Sequence, residues 1–284
     1  MPARTLEELV QGQSTQVGLV ASLFGPPAIN TPILEICEGY FDRYGQHLRT
    51  FREDDTARPR AFGVHERAYP RRRLSKPGGD VYVRATAAAD LDHASWWQLS
   101  CAFSRKGDDL SGIVWSIPPG SPPEELLRTY LEAARRGPFL HGSAGCGVIS
   151  PIAVVAEQQS RATVEALMKR FVGLDVPDLA TRLFATDGIE CTNWLTFVAD
   201  RLLERVGGRV KLRRKVGSTI VVHDTDHGVL IQAGPRPLSG DTHQPDELGP
   251  YREVAAALKP AFSWGDDDEP NPWRRRFFRG AKWP

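Results

Sequence analysis

The amino-acid sequence predicts an α+β protein built from antiparallel sheets, with helices packed on one face. One observation is that segments of alternating apolar residues outnumber the helical crossovers that could join parallel strands. A second observation is the order of the elements, β-α-β-β-β-α-β followed by β-α-β-β-α-β. Each part of that order resembles the ferredoxin-like (split βαβ) pattern. We therefore expect two such halves, although no residue-level repeat links them.

The first strand and helix have clear apolar patterns. Alternating apolar residues predict a strand over 16–24, and a Gly-Pro-Pro turn ends it. Thr31, which stands before a proline, predicts the start of a helix whose apolar residues recur at helical spacing as far as Leu48. Residues 50–80 are polar and rich in Pro and Arg, so we expect a long surface loop there.

The rest of the first half follows from the same patterns of strand alternation and helical spacing. The predicted elements are strands at about 81–88, 96–104 and 110–117, a helix that begins at the capping box Ser121-Pro122-Pro123-Glu124 and ends at Gly137-Pro138, a Gly-rich strand at 141–149 and a short helix at 160–171.

The second half opens with a segment rich in β-branched and aromatic residues, Ile189–Val198, which favours a strand over a helix. In a strand of period 2, Trp194 and Phe197 lie on opposite faces, and we expect both faces to be covered. The later predicted elements are a short helix from Asp200 to Gly207, a hairpin formed by 218–223 and 228–233, a helix between Pro250 and Pro260, and a last strand at 273–278.

The chain has 284 residues, a length typical of about two structural units. We divide it into a flexible leader at 1–15, an N-terminal α+β half at 16–186 and a C-terminal α+β half at 187–284. We expect the two halves to pack as one compact unit.

Composition excludes several functional classes. Lys and Arg number 36 against 35 Asp and Glu, so the net charge is +1, without the basic excess typical of a nonspecific nucleic-acid binder. Apolar residues make up 41% of the chain, which argues against disorder. The N-terminus lacks an apolar signal region, and no stretch approaches the roughly 18 apolar residues of a membrane helix. We therefore expect a cytoplasmic protein that contacts neither membrane nor nucleic acid directly.

The cysteines give no sign of a metal or redox site. The chain has 4 cysteines, Cys37, Cys101, Cys146 and Cys191, and no two of them form a C-x-x-C motif. We expect reduced, mostly buried thiols, no bound metal and no cofactor.

Two short segments contain residue types that could do chemistry. His141-Gly142-Ser143 lies in a sequence that resembles a nucleophile elbow but lacks its first glycine, so a structural Gly-rich strand is favoured. His223 and His227 flank two aspartates and could bind a metal, but a hairpin turn explains the same residues. A small hydrolase or metal-dependent enzyme that uses either cluster is the alternative function. No Asp or Glu precedes a Lys by two residues, which argues against a nuclease.

Several longer segments together resemble one known family. They are Arg43-Tyr44-Gly45, Leu48-Arg49, Leu140-His141-Gly142, Ala144-Gly145, Asp187-Gly188-Ile189, Asn193-Trp194-Leu195-Thr196-Phe197, Gly207-Gly208, the run from Leu230 to Pro237, Gly240-Asp241, the Pro250-Tyr251 helix start and an aromatic C-terminal strand. Over roughly residues 16–280 the sequence resembles the type VI immunity family of TsiV type.

The resemblance implies a protein that performs no catalysis and needs no cofactor. Members of the family are expected to bind and neutralise a cognate interbacterial toxin, often a nuclease of restriction-endonuclease-like fold, and steric occlusion is the mechanism we expect. The shared motifs imply structural roles, with Trp194 and Phe197 in the core and Gly234 and Pro235 in a fixed turn. The family supplies no catalytic residues.

Acidic side chains are the candidate toxin-binding residues. A nuclease cleft accepts a polyanion, so we expect it to be basic and to favour an inhibitor that presents carboxylates. The candidates are Asp224, Asp226, Asp246, Glu247, Asp266, Asp267, Asp268 and Glu269. The acidic run at 266–269 is the strongest local charge on the chain.

Overall fold

A computed structural model of the chain contains one ten-stranded sheet whose strands differ in length. It describes residues 14–53, 57–105, 109–177, 186–242 and 248–263, together with Leu6, Val10, Leu179 and Leu183. The strands lie in the order β3-β2-β4-β5-β6-β1-β7-β8-β10-β9, and every neighbouring pair is antiparallel. They are β1 (Gln16–Gly25), β2 (Thr50–Arg52), β3 (Arg60–Ala61), β4 (Val81–Thr86), β5 (Gln98–Phe103), β6 (Ser111–Ile117), β7 (His141–Ile149), β8 (Leu195–Ala199), β9 (Ile220–Thr225) and β10 (Gly228–Ala233).

Helices connect and cover these strands. They are α1 (Asn30–Tyr44), α2 (Val64–Arg67), α3 (Tyr69–Leu74), α4 (Pro123–Ala134), α5 (Val154–Arg170), α6 (Asp200–Leu203), α7 (Gly208–Lys215) and α8 (Gly249–Leu258), with short 3-10 turns at Pro27–Ile29, Glu204–Val206 and Lys259–Ala261. Among the described residues, no helix combines the length and the apolar character needed to cross a membrane.

The topology confirms the predicted α+β class. In the first half, β1 and β5 run parallel with β6 between them, and β6 and β7 run parallel with β1 between them. This is the split βαβ arrangement, and β2, β3 and β4 extend it beyond β5. In the second half, β8 and β9 run parallel with β10 between them. Strand β7 pairs with β8, so one sheet runs through both halves.

The fourth strand of the second half was predicted at 273–278. That segment lies outside the described residues, as does most of the predicted leader at 1–15. In the described part of the sheet, the position next to β8 is occupied by β7 from the first half.

The predicted loop at 50–80 is wrong, because two strands and two helices form there. Phe51 of β2 is fully buried, and its ring packs against the ring of Tyr69 at 5.4 Å. Pro70 occupies the first turn of α3, where its missing N–H costs no hydrogen bond. Prolines and arginines that looked typical of a loop therefore begin a helix and cover an edge of the sheet.

Other boundaries differ from the sequence prediction, and helix α5, for example, starts at Val154 instead of at residue 160. Helix α1 begins at Asn30, directly after a 3-10 turn, so Thr31 is not its N-cap. The strand predicted at Ile189–Val198 is shorter, since β8 starts only at Leu195. The sequence predicted that a helix ends at Gly207 and that no further helix follows, but helix α7 begins directly after this residue. Gly207 adopts a left-handed φ of 96° between the 3-10 turn Glu204–Val206 and helix α7.

The core lies between the sheet and helices α1 and α4. Neighbouring residues on β4, β5 and β6, Val83, Cys101 and Ile113, are fully buried, and Cys101 lies beside Cys37 of α1. Their sequence neighbours point away from α1, because side chains alternate along a strand. The sheet therefore has a face opposite α1 and α4 that other parts of the chain must cover or leave open.

Candidate functional site

The junction of strands β8 and β10 is built around Trp194. Its side chain is fully buried, and its indole Nε1 donates to the carbonyl of Gly234 at 2.9 Å. Gly234 has a φ of +90°, a conformation that glycine adopts without strain, and exposed Pro235 follows it. Phe197 is also fully buried, on β8. These residues hold the end of β10 against the start of β8.

A second contact joins the Gly-rich strand β7 to the same junction. Asn193 donates from Nδ2 to the carbonyl of Cys146 at 3.2 Å, and its Oδ1 accepts the N–H of Trp194 at 2.7 Å. Gly145 lies against this amide, and a Cβ at Gly145 would collide with Asn193 Oδ1. Asn193 thus bonds to backbone groups that a continuing strand would pair, which explains why β8 starts late. The Asn193-Trp194 segment and the Gly-rich strand β7 therefore have architectural roles.

The first chemical cluster lies in the interior. Ser143 Oγ donates to Asp175 Oδ2 at 2.7 Å, and both residues are buried. The Cys191 thiol lies 3.6 Å from Asp175 Oδ1, and the buried His141 ring stacks on Phe24 at 5.4 Å. The Ser143 hydroxyl is therefore hydrogen-bonded to a carboxylate inside the protein, without the exposure that a nucleophile needs to meet a substrate.

The thiols show the same inert environment. All 4 cysteines are free, and Cys37 and Cys101 are buried. Burial raises the pKa of the Cys146 thiol to about 12 and that of Cys101 well above its usual value. Both therefore stay protonated at neutral pH, a state in which a thiol is a poor nucleophile.

The second chemical cluster lies in the hairpin formed by β9 and β10. His223 Nε2 is 3.1 Å from Gln232 Oε1 on the neighbouring strand, whereas His227 is exposed in the turn. Within the part of the chain that the structure describes, no three His, Cys, Asp or Glu side chains are arranged to hold a metal ion. The strand register separates the two histidines, which a helix would have placed on one face.

Acidic residues of the hairpin end bond to arginines of α7. Arg209 donates to Asp200 at 2.6 Å and to Asp224 at 3.3 Å, while Arg213 donates to Asp224 at 2.7 Å. Arg213 also donates to the carbonyl of Val222 at 2.9 Å, which covers part of the edge strand β9. Hydrogen bonding by Arg209 lowers the pKa of Asp200. Two arginines of the same chain therefore balance the charge of Asp224.

Of the other predicted toxin-binding residues, Asp226 lies in the described part of the chain. Asp226 is exposed in the hairpin turn. Asp246, Glu247 and the run 266–269 lie outside the described residues. The structure therefore brings Asp224 and Asp226 to one end of the sheet.

An open groove crosses the sheet on the face opposite α1 and α4. Its floor is formed by the side-by-side residues Arg84, Ser100 and Val114, with Gln98 and Val20 beside them. One wall is the segment 149–152 with Glu157, the other contains Val176, Pro177 and Leu179, and the space, counting the part open to solvent, is about 630 Å³. We call this feature the open groove.

Exposed apolar side chains surround the open groove. Tyr82 extends from the same face of β4 as Arg84, two residues away. Trp96 and Ile149 both pack over Gly18, which places Trp96 at the groove wall. Val155 follows that wall at the start of α5 and is 65% exposed. Tyr82, Trp96 and Val155 are three of the six large apolar side chains that are exposed in the described structure, and none of them lines the groove itself.

A comparison with models of protein families shows the family to which the chain belongs. The model of the TsiV family, described as type VI immunity for VRR-NUC, matches residues 33–275. The chain belongs to the TsiV family. This TsiV chain also resembles the Pseudomonas aeruginosa T6SS protein PA0821, with a TM-score of 0.77 and 22% identity over 93% of this chain and 82% of that one. At that identity the likeness shows a shared fold. No curated protein matches the chain.

Sequence reasoning about this TsiV protein missed the open groove. Val81 and Val83 of β4 are buried, whereas Tyr82 is exposed and Arg84 is half-buried. That alternation is a sequence signal for a strand with one solvent-facing side. It could have identified the floor of a surface groove, but not the walls, which come from residues 149–179.

Proposed function

We propose that this TsiV protein neutralises a cognate VRR-NUC nuclease effector by binding it and covering its active site. The observation that carries the proposal is the family match, which spans residues 33–275 and describes immunity against VRR-NUC. Binding alone suffices for such protection, since an occluded nuclease cannot reach its substrate. We propose that the protein acts in the cytoplasm, where the DNA of the protected cell lies.

The proposal assigns no chemistry to the protein itself. The Ser143 hydroxyl is buried against Asp175, and His223 lies against Gln232 of the neighbouring strand. These arrangements support structural roles for the residues that an enzyme would use. No metal or cofactor is part of the proposed mechanism.

Carboxylates remain candidate contacts with the effector. Asp226 is exposed, and Asp246, Glu247 and 266–269 are further candidates in the sequence. Opposite surface potentials would speed association with a basic nuclease cleft. Charge reversal of 266–269 is then expected to slow association and to weaken its salt dependence, measured as association rate against ionic strength. Equal rates and equal salt slopes would remove this run from the interface.

The decisive experiment is co-expression with the product of the neighbouring gene, which we expect to be the nuclease effector. We expect the two proteins to co-purify as a complex that no longer cleaves DNA. The control is an unrelated nuclease, which should be neither bound nor inhibited. DNA cleavage that continues at full rate in the presence of excess TsiV protein would contradict the proposed function.

A further inference from the structure

Residues 200–215, which include helix α7, carry a local positive charge that the whole chain does not have. They contain seven Lys and Arg against two Asp and Glu, although the net charge of the chain is +1. Helix α7 alone holds five of these seven cationic side chains. A local excess of this kind produces a surface potential that attracts anionic groups.

Two of the five cations are bonded to other parts of the protein. Arg209 donates from Nε and Nη2 to the two carboxylate oxygens of Asp200, at 2.7 and 2.6 Å. Arg213 donates to Asp224 at 2.7 Å and to a carbonyl of the edge strand β9 at 2.9 Å. Leu212 between them is fully buried. These contacts fix α7 beside the sheet, so the rest of the helix is held in a defined orientation.

The other side of α7 presents the three remaining cations to solvent. Val210 and Arg214 each follow an inward-facing arginine by one residue, which places them about 100° further round the helix. Lys211, Arg214 and Lys215 are exposed, and none of them forms an ion pair with a described carboxylate. Val210 is 65% exposed. We call Val210, Lys211, Arg214 and Lys215 the basic face of α7.

The cations of the basic face repel one another. Lys211 lies three residues before Arg214 and four before Lys215, spacings that place like charges side by side on a helix. The side chain of Lys211 also lies over Gly207, where a Cβ would collide with it. A partner that brings carboxylates to this face offsets the repulsion and gains affinity.

The chemistry of the basic face indicates an acidic protein segment as its partner. The paired hydrogen bonds from Arg209 to Asp200 show that an arginine of this helix already binds a carboxylate. Phosphate groups of DNA would also satisfy the cations, but they give an exposed valine no apolar contact. Val210 lies one helical turn from Arg214, inside the basic face. A segment that carries carboxylates and an apolar side chain fits both features.

We propose that the basic face of α7 is a docking surface for an acidic segment of the VRR-NUC effector. This inference rests on the proposed function, because that function makes the effector the partner. A basic DNA-binding cleft would repel this face, so α7 is expected to contact carboxylates of the effector outside the cleft. Opposite charges at such a contact speed association and disfavour wrong partners.

The test compares variants of the basic face with matched variants on other helices. Arg214→Glu is paired with Arg135→Glu, which reverses an exposed arginine at the end of α4 and changes the net charge equally. Val210→Ala is paired with Val155→Ala on α5, because both valines are 65% exposed. The measurements are the Kd and the association rate for the product of the neighbouring gene at several ionic strengths. A short DNA duplex is the second probe, and thermal melting checks folding.

We expect Arg214→Glu to raise the Kd for the effector about tenfold or more and to flatten the salt dependence of association. Val210→Ala should raise the Kd more than Val155→Ala does, and Arg135→Glu should leave it near the wild-type value. Melting temperatures should stay close to that of the wild type, because all four side chains are exposed.

The outcomes separate docking at α7 from the proposed function. If the wild-type protein inhibits the effector and the α7 variants bind it as tightly as their controls do, docking at α7 is overturned and the immunity function stands. If the wild-type protein neither binds nor inhibits the effector, both proposals are overturned. Binding of the DNA duplex that Arg214→Glu abolishes, with effector binding unchanged, would assign the face to nucleic acid and overturn docking. A loss of effector binding confined to the folded α7 variants supports both proposals.

Discussion

Two regions of the ten-stranded sheet expose polar and charged groups in different ways. At the β9–β10 end, Asp200, Arg209, Asp224 and Arg213 bond to one another and cover a strand edge. On strands β4–β6, the open groove has Arg84 and Ser100 on its floor, and the buried Oε1 of Gln98 has no hydrogen-bond partner among the described residues. The strongest local charge in the sequence, the acidic run at 266–269, lies outside the described residues. A charged residue marks a binding surface only where the fold leaves it without an internal partner.

The junction of strands β8 and β10 is where a substitution should have its largest effect. Trp194→Ala removes a fully buried ring and leaves the Gly234 carbonyl without its indole donor. We expect a loss of about 3–5 kcal/mol in the free energy of unfolding, measured by urea denaturation followed by circular dichroism. Trp96→Ala is the matched control and should cost about 1 kcal/mol. A loss below 1 kcal/mol for Trp194→Ala would show that the sheet does not depend on this junction.

Alanine substitutions at two glycines, Gly228 of the β9–β10 hairpin and Gly39 of helix α1, should change stability in opposite directions. A Cβ at Gly228 would collide with the backbone of Val198, which cannot move without disturbing β8. We expect Gly228→Ala to destabilise the protein by about 1–3 kcal/mol. A Cβ at Gly39 on α1 meets nothing within 4 Å, so Gly39→Ala should stabilise by about 0.5–1 kcal/mol. Melting temperatures that move in the same direction would contradict this difference.

The ion-pair network at the hairpin end should contribute little stability. Its side chains are partly exposed, with 61% exposure for Asp224, and exposed ion pairs typically contribute less than about 1 kcal/mol. We expect Asp224→Asn to cost about 0.5 kcal/mol in denaturant unfolding. Asp226→Asn, its neighbour in the turn, is the control for stability. A cost of several kcal/mol would mean that the network is a structural requirement.

The smallest expected effect is the pH dependence of the same network. Arg209 lowers the pKa of Asp200 below its ordinary value of 3.8, so the stabilisation is present above that value. It is lost as the pH falls through the lowered pKa, because the unfolded carboxyl takes up its proton first. Unfolding of the wild type and Arg209→Gln, compared from about pH 5 down to about pH 2, should show a difference that shrinks in acid. A difference that grows in acid would contradict the sign.

Sequence patterns predicted most of the regular elements near the centre of the sheet. Strands β1, β4, β5, β6, β7 and β10 and helices α1, α4 and α8 lie close to where alternation and helical spacing placed them. Their residues are buried on at least one face, so the apolar pattern records the packing directly. The segment 50–80 was misread because its helices are short, and a few residues carry too little periodicity to be distinguished from a loop.

The internal partners of the candidate acidic residues could not be predicted from the sequence, for a physical reason. Local charge is visible in a sequence, but the partners of a charge come from distant parts of the chain. Arg213 reaches Asp224 only because α7 packs beside β9, and α7 was not predicted. Trp194 was expected within a strand, yet the side chain of Asn193 ends the strand pairing before it.

The sequence by itself determined the α+β class, the order of the central strands, the buried motifs and the TsiV resemblance. Each depends on local periodicity or on contiguous residues, which a linear sequence contains in full. Only the tertiary structure decided which carboxylates are paired, which strand face stays open and which residues surround the groove. Those features join residues such as Tyr82, Ile149 and Val176 that are far apart in the chain, and their proximity depends on packing across the whole sheet.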